Sequence, residues 1–279
     1  MATRILPSGL LLLLLFGRAQ AWGGRIHRFI AYQALKSVWR ELPVSPRQAW
    51  AILQDASVAP DLKGPGRLPP SAHVYHPPGL THTSLRGQAP NRVQSLVWKL
   101  TGGEPSDREF VYELGRLSHL VGDLAQPLHT DGGAKHPREK RVHARYERDV
   151  DRLGPRGTSI GKAPDLGGGS WSSRVQQLAR LSHGGYCPIL DAYDRNGGYR
   201  DVADLTQKQI DTAISVTAEL WRYVLARRGR ATYTCRFAAW MSYFLILWAL
   251  MYFRRRGPVR REASRWPGGG SSHQTVSLC

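Results

Sequence analysis

The chain has 279 residues, enough for one sizeable domain with a true core plus appendages and too few for two large domains. Three cysteines exclude a disulfide-built scaffold, and a formal net charge of +18 favours anionic partners without choosing between a phospholipid surface and nucleic acid. Leaving out the two arginines before Ala21 and the six arginines and one glutamate after Phe253, 31 basic and 20 acidic residues remain, so the bulk of the chain is itself basic.

Residues 1–21 read as a secretory signal: Arg4 supplies the charge, Leu10 to Phe16 the apolar run and Ala19-Gln20-Ala21 the small-x-small cleavage site, which leaves Trp22 first in the mature chain. That run is far shorter than the about 20 residues of a membrane span. From Trp22 to Arg230 the periodicity is helical, with no internal repeat and no alternation of a sheet, so an all-α domain is expected over 22–230. Helices are predicted over Ile26 to Leu42, Pro46 to Gln54, Asn91 to Leu100, Asp107 to Leu124, Arg141 to Leu153, Ser172 to Leu181 and Gln207 to Arg227. Ser106 with Glu109, and Thr206 with Gln209, have the spacing of a capping box. Lys63 to Pro70, Thr130 to Pro137 and Gly154 to Gly169 have the composition of loops.

Phe237 to Phe253 carries no charge and is followed by Arg254, Arg255, Arg256, Arg260 and Arg261, the pattern of a short transmembrane helix with Trp240, Trp248, Tyr252 and Phe253 at its interfaces. The arginines assign the basic tail, 254–279, to the cytoplasm and the domain to the extracytoplasmic side, a single-pass membrane protein. Gly268-Gly269-Gly270-Ser271-Ser272 marks that tail as a segment expected to be disordered. Cys187 and Cys235 both fall on the exported side and can pair, whereas Cys279 lies in the tail.

The chemistry concentrates between Leu114 and Asp151. His119 and Asp123 stand four apart on a predicted helix, so both project from one face. Gln126-Pro127 ends that helix, and the turn brings in His129. His143 and Glu147 form a second pair four apart on the next helix. Two such imidazole and carboxylate pairs with one further histidine suit zinc. His76, His82, His136 and His183 are expected to be loop or surface residues, His76 being the one close in sequence to His73.

With HLVGDLAQPLH followed by HARYERDVD, this segment resembles the core of zinc-dependent phospholipase C and is similar to the single-strand nucleases that share its helical fold. The resemblance covers about two thirds of the chain, from Trp22 to roughly Ala226, and implies nine zinc ligands: Trp22, through the free amine and carbonyl of a cleaved chain, with His27, Asp61, His73, His119, Asp123, His129, His143 and Glu147. Asp61 is preferred to nearby Asp55 for its Ala-Pro-Asp context. The family pattern implies three Zn2+ ions: one held by Asp61, His73, His119 and Asp123, a second by His129, His143 and Glu147, a third by Trp22 and His27 with Asp123 as bridge.

The resemblance further implies phosphodiester hydrolysis by a metal-activated hydroxide attacking phosphorus, with Asp61 as the residue that orients or deprotonates the water. The substrate is a phospholipid on one reading and single-stranded nucleic acid on the other. Tyrosine before Glu147, as in HARYE, is the phospholipase habit, where the nucleases place Trp-Asp. Trp171, Tyr186, Tyr193 and Tyr199 are the candidate base platforms of a nuclease, or core residues. A third reading, a zinc-bound domain without catalysis, is disfavoured by the complete ligand set. Nothing in the sequence points to a protein partner.

Overall fold

The computed structural model describes residues 22–80, 86–131, 137–157, 160–195 and 197–255, without the side chains of 137, 229–240 and 249–255. Among these residues there is no strand, and eight α-helices follow one another: α1 (Gly24–Val38), α2 (Pro46–Ala56), α3 (Ala89–Gly102), α4 (Asp107–Ala125), α5 (Pro137–Leu153), α6 (Trp171–His183), α7 (Tyr186–Asp194) and α8 (Tyr199–Arg255). Short 3-10 turns occupy Trp39–Glu41, Pro70–Ala72 and Pro127–His129. The chain divides into two compact units, Met1–Thr232 and Tyr233–Cys279, with α8 continuing through the boundary.

Helix ends follow local chemistry. Ser45 and Gln48 close a reciprocal capping box at the start of α2, with Pro46 at the first helical position, where its missing N–H costs nothing. Ser106 Oγ accepts from the Glu109 N–H at 3.3 Å to open α4, and Ser170 Oγ accepts from the Ser173 N–H at 3.1 Å to open α6. Pro127 stops α4: it forces Gln126 into an extended conformation, and the chain turns sharply through Pro127–His129.

The first unit is built around α4. From Phe110 to Ala125 this helix is buried almost all round, as a central helix must be, and α1, α2, α3 and α6 pack on it. Gly115 permits the close approach of α2, since a Cβ there would stand 2.5 Å from the Ala56 Cβ. Two buried hydrogen bonds tie in α8: Trp221 Nε1–H donates to the Leu114 carbonyl at 3.0 Å, and the Tyr146 hydroxyl of α5 meets Thr206 Oγ1 at 3.0 Å.

The structure departs from the sequence expectation at two places here. The helix α7 lies where none is expected; Pro188 is its third residue, in the first turn, where an amide has no helical partner to lose. The helix α8 begins at Tyr199, about two turns before Thr206, so Thr206 caps nothing and serves Tyr146 instead. Of the two readings given for Trp171, Tyr186, Tyr193 and Tyr199, the burial of all four favours core residues.

In the second unit the described side chains, Met241 to Trp248, are exposed. Among the described residues no helix is long and apolar enough to cross a membrane, so the span expected over Phe237 to Phe253 is not supported. The run between Arg236 and Arg254 is below the about 20 residues of a full span, and Ser242, Tyr243 and Tyr252 dilute it. The signal, the tail beyond Arg255, His82, His136 and the proposed Cys187 to Cys235 pairing lie outside the described residues; Cys187 itself is exposed.

Candidate metal centre

The first cluster gathers on one face of α4. His119 Nε2 and Asp123 Oδ2, one turn apart, are separated by 3.1 Å, and His73 Nδ1, arriving just after the Pro70–Ala72 turn, lies 2.9 Å from Asp123 Oδ2 and 3.1 Å from His119 Nε2. Asp61 Oδ1 sits 3.6 Å from His119 Nε2 and 3.7 Å from His73 Nδ1. Asp55 is exposed, so geometry selects Asp61 of the two candidates. On the far side of the same carboxylate, His27 of α1 places Nε2 at 3.4 Å from Asp123 Oδ1, without hydrogen-bond alignment. Asp123 therefore turns one oxygen to His73 and His119 and the other to His27.

The second cluster comes from the turn after α4 and from α5. His143 Nε2 lies 2.8 Å from Glu147 Oε1, and His129 Nε2 lies 3.7 Å from the same oxygen. Nitrogens and oxygens at about 2.0–2.1 Å from a tetrahedral zinc are about 3.3 Å from one another, which is the spacing of both clusters. Three triads keep their ligand atoms within 4.8 Å: His27, Asp61 and His119; His73, His119 and Asp123; and His129, His143 and Glu147. Asp61 and His119 thus lie within reach of His27 as well as of His73.

The imidazoles are oriented from behind. His119 Nδ1 donates to the Ser57 carbonyl at 2.9 Å and His129 Nδ1 to the His73 carbonyl at 2.9 Å, leaving both Nε2 atoms for the cluster. Gln126, fully buried, donates to Glu147 Oε1 at 3.2 Å. Both ring nitrogens of His27, Asp123 Oδ1 and Gln126 Oε1 are buried without a hydrogen-bond partner, the kind of orphaned donor set that a bound cation completes. The residues present fit zinc.

Charges inside the cluster are strongly coupled. Burial opposes protonation of His119, but Asp123 and Asp61 outweigh it and hold its pKa up at about 9. Burial likewise opposes the charge on His143, and Glu147 and Glu139 raise it to about 10. Burial and the neighbouring His119 push His27 down. Burial favours protonation of Asp123, yet His119 and its other histidine contacts keep it well below the usual carboxylate range.

Trp22 is fully buried beside the centre, its indole N–H donating to the Gly122 carbonyl at 2.7 Å. Its ring lies 6.0 Å from that of Tyr146, which is itself fully buried and 5.9 Å from Tyr193. The tyrosine of HARYE is therefore a core residue behind the site. His76, expected to be a loop or surface residue, lies in a loop but is buried there, and burial lowers its pKa. Glu139, Gln126 and Tyr186 carry no sequence signal as residues around the two clusters, except that Glu139 stands one helical turn before His143.

A family model described as zinc dependent phospholipase C matches residues 26–196, more than half of the chain and including every candidate ligand except Trp22. A search among curated proteins found no match.

Proposed function

The chain belongs to the zinc-dependent phospholipase C family, and from that premise we propose that it hydrolyses the phosphodiester bond of a phospholipid, using three zinc ions held by Trp22, His27, Asp61, His73, His119, Asp123, His129, His143 and Glu147. The observation that carries this reading is Asp123, whose two carboxylate oxygens face separate sets of buried histidines and so suit a shared ligand. Bound zinc supplies Lewis acidity towards the phosphoryl oxygens and a nucleophile usable near neutral pH. The chain's own part is to fix the donors: Ser57 and His73 carbonyls set the ring orientation of His119 and His129, and Gln126 holds Glu147. Asp61, the least confined of the carboxylates at the first cluster, is the proposed acceptor of the proton released as the nucleophile forms.

Phospholipid is preferred to nucleic acid because the aromatic residues proposed for base stacking are buried, while the family that matches is the phospholipase. The same reading assigns the domain to the extracytoplasmic side, since a free amine on Trp22 requires removal of residues 1–21. The test is hydrolysis of phosphatidylcholine micelles and of single-stranded DNA, in parallel, by the zinc-loaded protein. Phosphocholine release without DNA cleavage is the expected outcome; the reverse would move the protein to the nucleases. Full zinc occupancy with neither substrate cut would make it a binding domain.

A further inference from the structure

Glu139 is a carboxylate with no exposed surface, on the same stripe of α5 as His143 and Glu147, each one turn from the next. Its two oxygens are used separately. Oε1 lies 3.2 Å from His143 Nδ1, and Oε2 accepts from the Tyr186 hydroxyl at 2.8 Å. Tyr186 is in turn confined: it is buried, and its ring stacks on His183 with centroids 5.6 Å apart and planes 10° apart. His183 Nδ1 meets Thr130 Oγ1 at 3.1 Å, and because the Thr130 hydroxyl already donates to the Pro127 carbonyl at 2.6 Å, His183 is the donor. The path from His143 through Glu139, Tyr186, His183 and Thr130 returns to the residue next to His129.

A buried carboxylate is a poor device for stability alone, because a neutral residue of the same shape avoids its desolvation. Behind a metal-binding imidazole it has a specific use: it accepts from Nδ1–H, fixes the tautomer and ring plane, and makes Nε2 a better donor. We propose that Glu139, held by Tyr186, is a positioning residue of the metal centre that fixes His143 with Nε2 towards Glu147 and His129. This rests on the reading that His129, His143 and Glu147 hold a zinc ion.

The test is zinc titration of the full-length protein against a competing chelator, with Glu139→Gln and Tyr186→Phe beside the unchanged chain and thermal midpoints of the metal-free forms in parallel. Glu139→Gln is expected to weaken one zinc about 10- to 100-fold and leave the others in place. Tyr186→Phe should weaken the same zinc by a smaller factor. Unchanged affinity at every site in Glu139→Gln would overturn the proposal, as would a uniform loss across all sites with a fallen midpoint, which marks a purely structural role. If the unchanged protein takes up no zinc, the reading of the cluster fails first and the role of Glu139 falls with it.

Discussion

His27 and His119 stack nearly parallel, their ring centroids 3.9 Å apart and their planes at 20°, with both rings buried. Two imidazolium ions do not share such a site; the charge settles on His119, which Asp123 supports, and His27 stays neutral. The metal-free protein should therefore have an unusual pH profile. His119 at about 9 and His143 at about 10 are raised above the unfolded value of about 6.5, so their contribution is complete below that value and is lost as pH rises through the folded pKa values. The depressed His27 acts oppositely, costing stability below about 6.5. Thermal midpoints of chelator-treated protein should fall between about pH 6.5 and 10, while the gain from added zinc widens because both histidines must lose protons to bind it. A metal-free midpoint that rises over this range contradicts the charge assignment.

Gly122 and Gly115 lie on the same helix but guard different things. A Cβ on Gly122 would stand 3.1 Å from His27 Nδ1, so Gly122→Ala should displace His27 and lower zinc stoichiometry at modest cost to folding, about 1 kcal/mol. Gly115→Ala meets the Ala56 Cβ at 2.5 Å and should destabilise by about 1–3 kcal/mol by forcing α2 from α4. Metal analysis and denaturant titration on both variants separate the effects; equal zinc content in Gly122→Ala and the unchanged protein would refute the first.

Asp151 anchors the start of α1. Its carboxylate accepts from the Arg25 N–H at 3.0 Å, the Arg25 guanidinium returns to the Asp151 carbonyl at 3.2 Å, and a Cβ on Gly23 would meet the Asp151 carboxyl carbon at 2.3 Å. Asp151→Ala should cost about 0.5–2 kcal/mol, the range for a lost N-cap, and loosen the turn that carries Trp22 and His27. Zinc titration should show the first cluster weakened and the His129, His143 and Glu147 group intact; the opposite order would disprove the anchoring role.

Tyr146 gives a prediction about specificity. Because it is buried against Trp22 and bonded to Thr206, Tyr146→Phe should lose about 1–2 kcal/mol, leaving Thr206 Oγ1 without its partner, and should not change the ratio of lipid to nucleic-acid hydrolysis. A shifted ratio would mean that the residue acts on substrate despite its burial.

The helical class and the core of the site were legible because α4 and α5 carry their chemistry at spacings fixed by the helix itself. His119 with Asp123 and His143 with Glu147 need no tertiary knowledge, and Pro127 announces the turn that delivers His129. What sequence could not supply were relations across elements. In sequence the choice between Asp61 and Asp55 rests on resemblance, whereas packing leaves Asp55 exposed, and Glu139 takes its meaning from the Tyr186 hydroxyl of α7 that faces it. Thr206 misled because capping-box spacing also occurs inside helices, where the hydroxyl is free to serve a neighbour such as Tyr146.

The division of Asp123 between two sets of histidines also bears on the order of assembly. If cations occupy both sides as proposed, a carboxylate plane fixed by one would be presented to the other with its rotational freedom already surrendered. On the proposed reading the two sides are coupled through one side chain, so a substitution that frees Asp123 should weaken both together and leave the His129, His143 and Glu147 group to its own affinity.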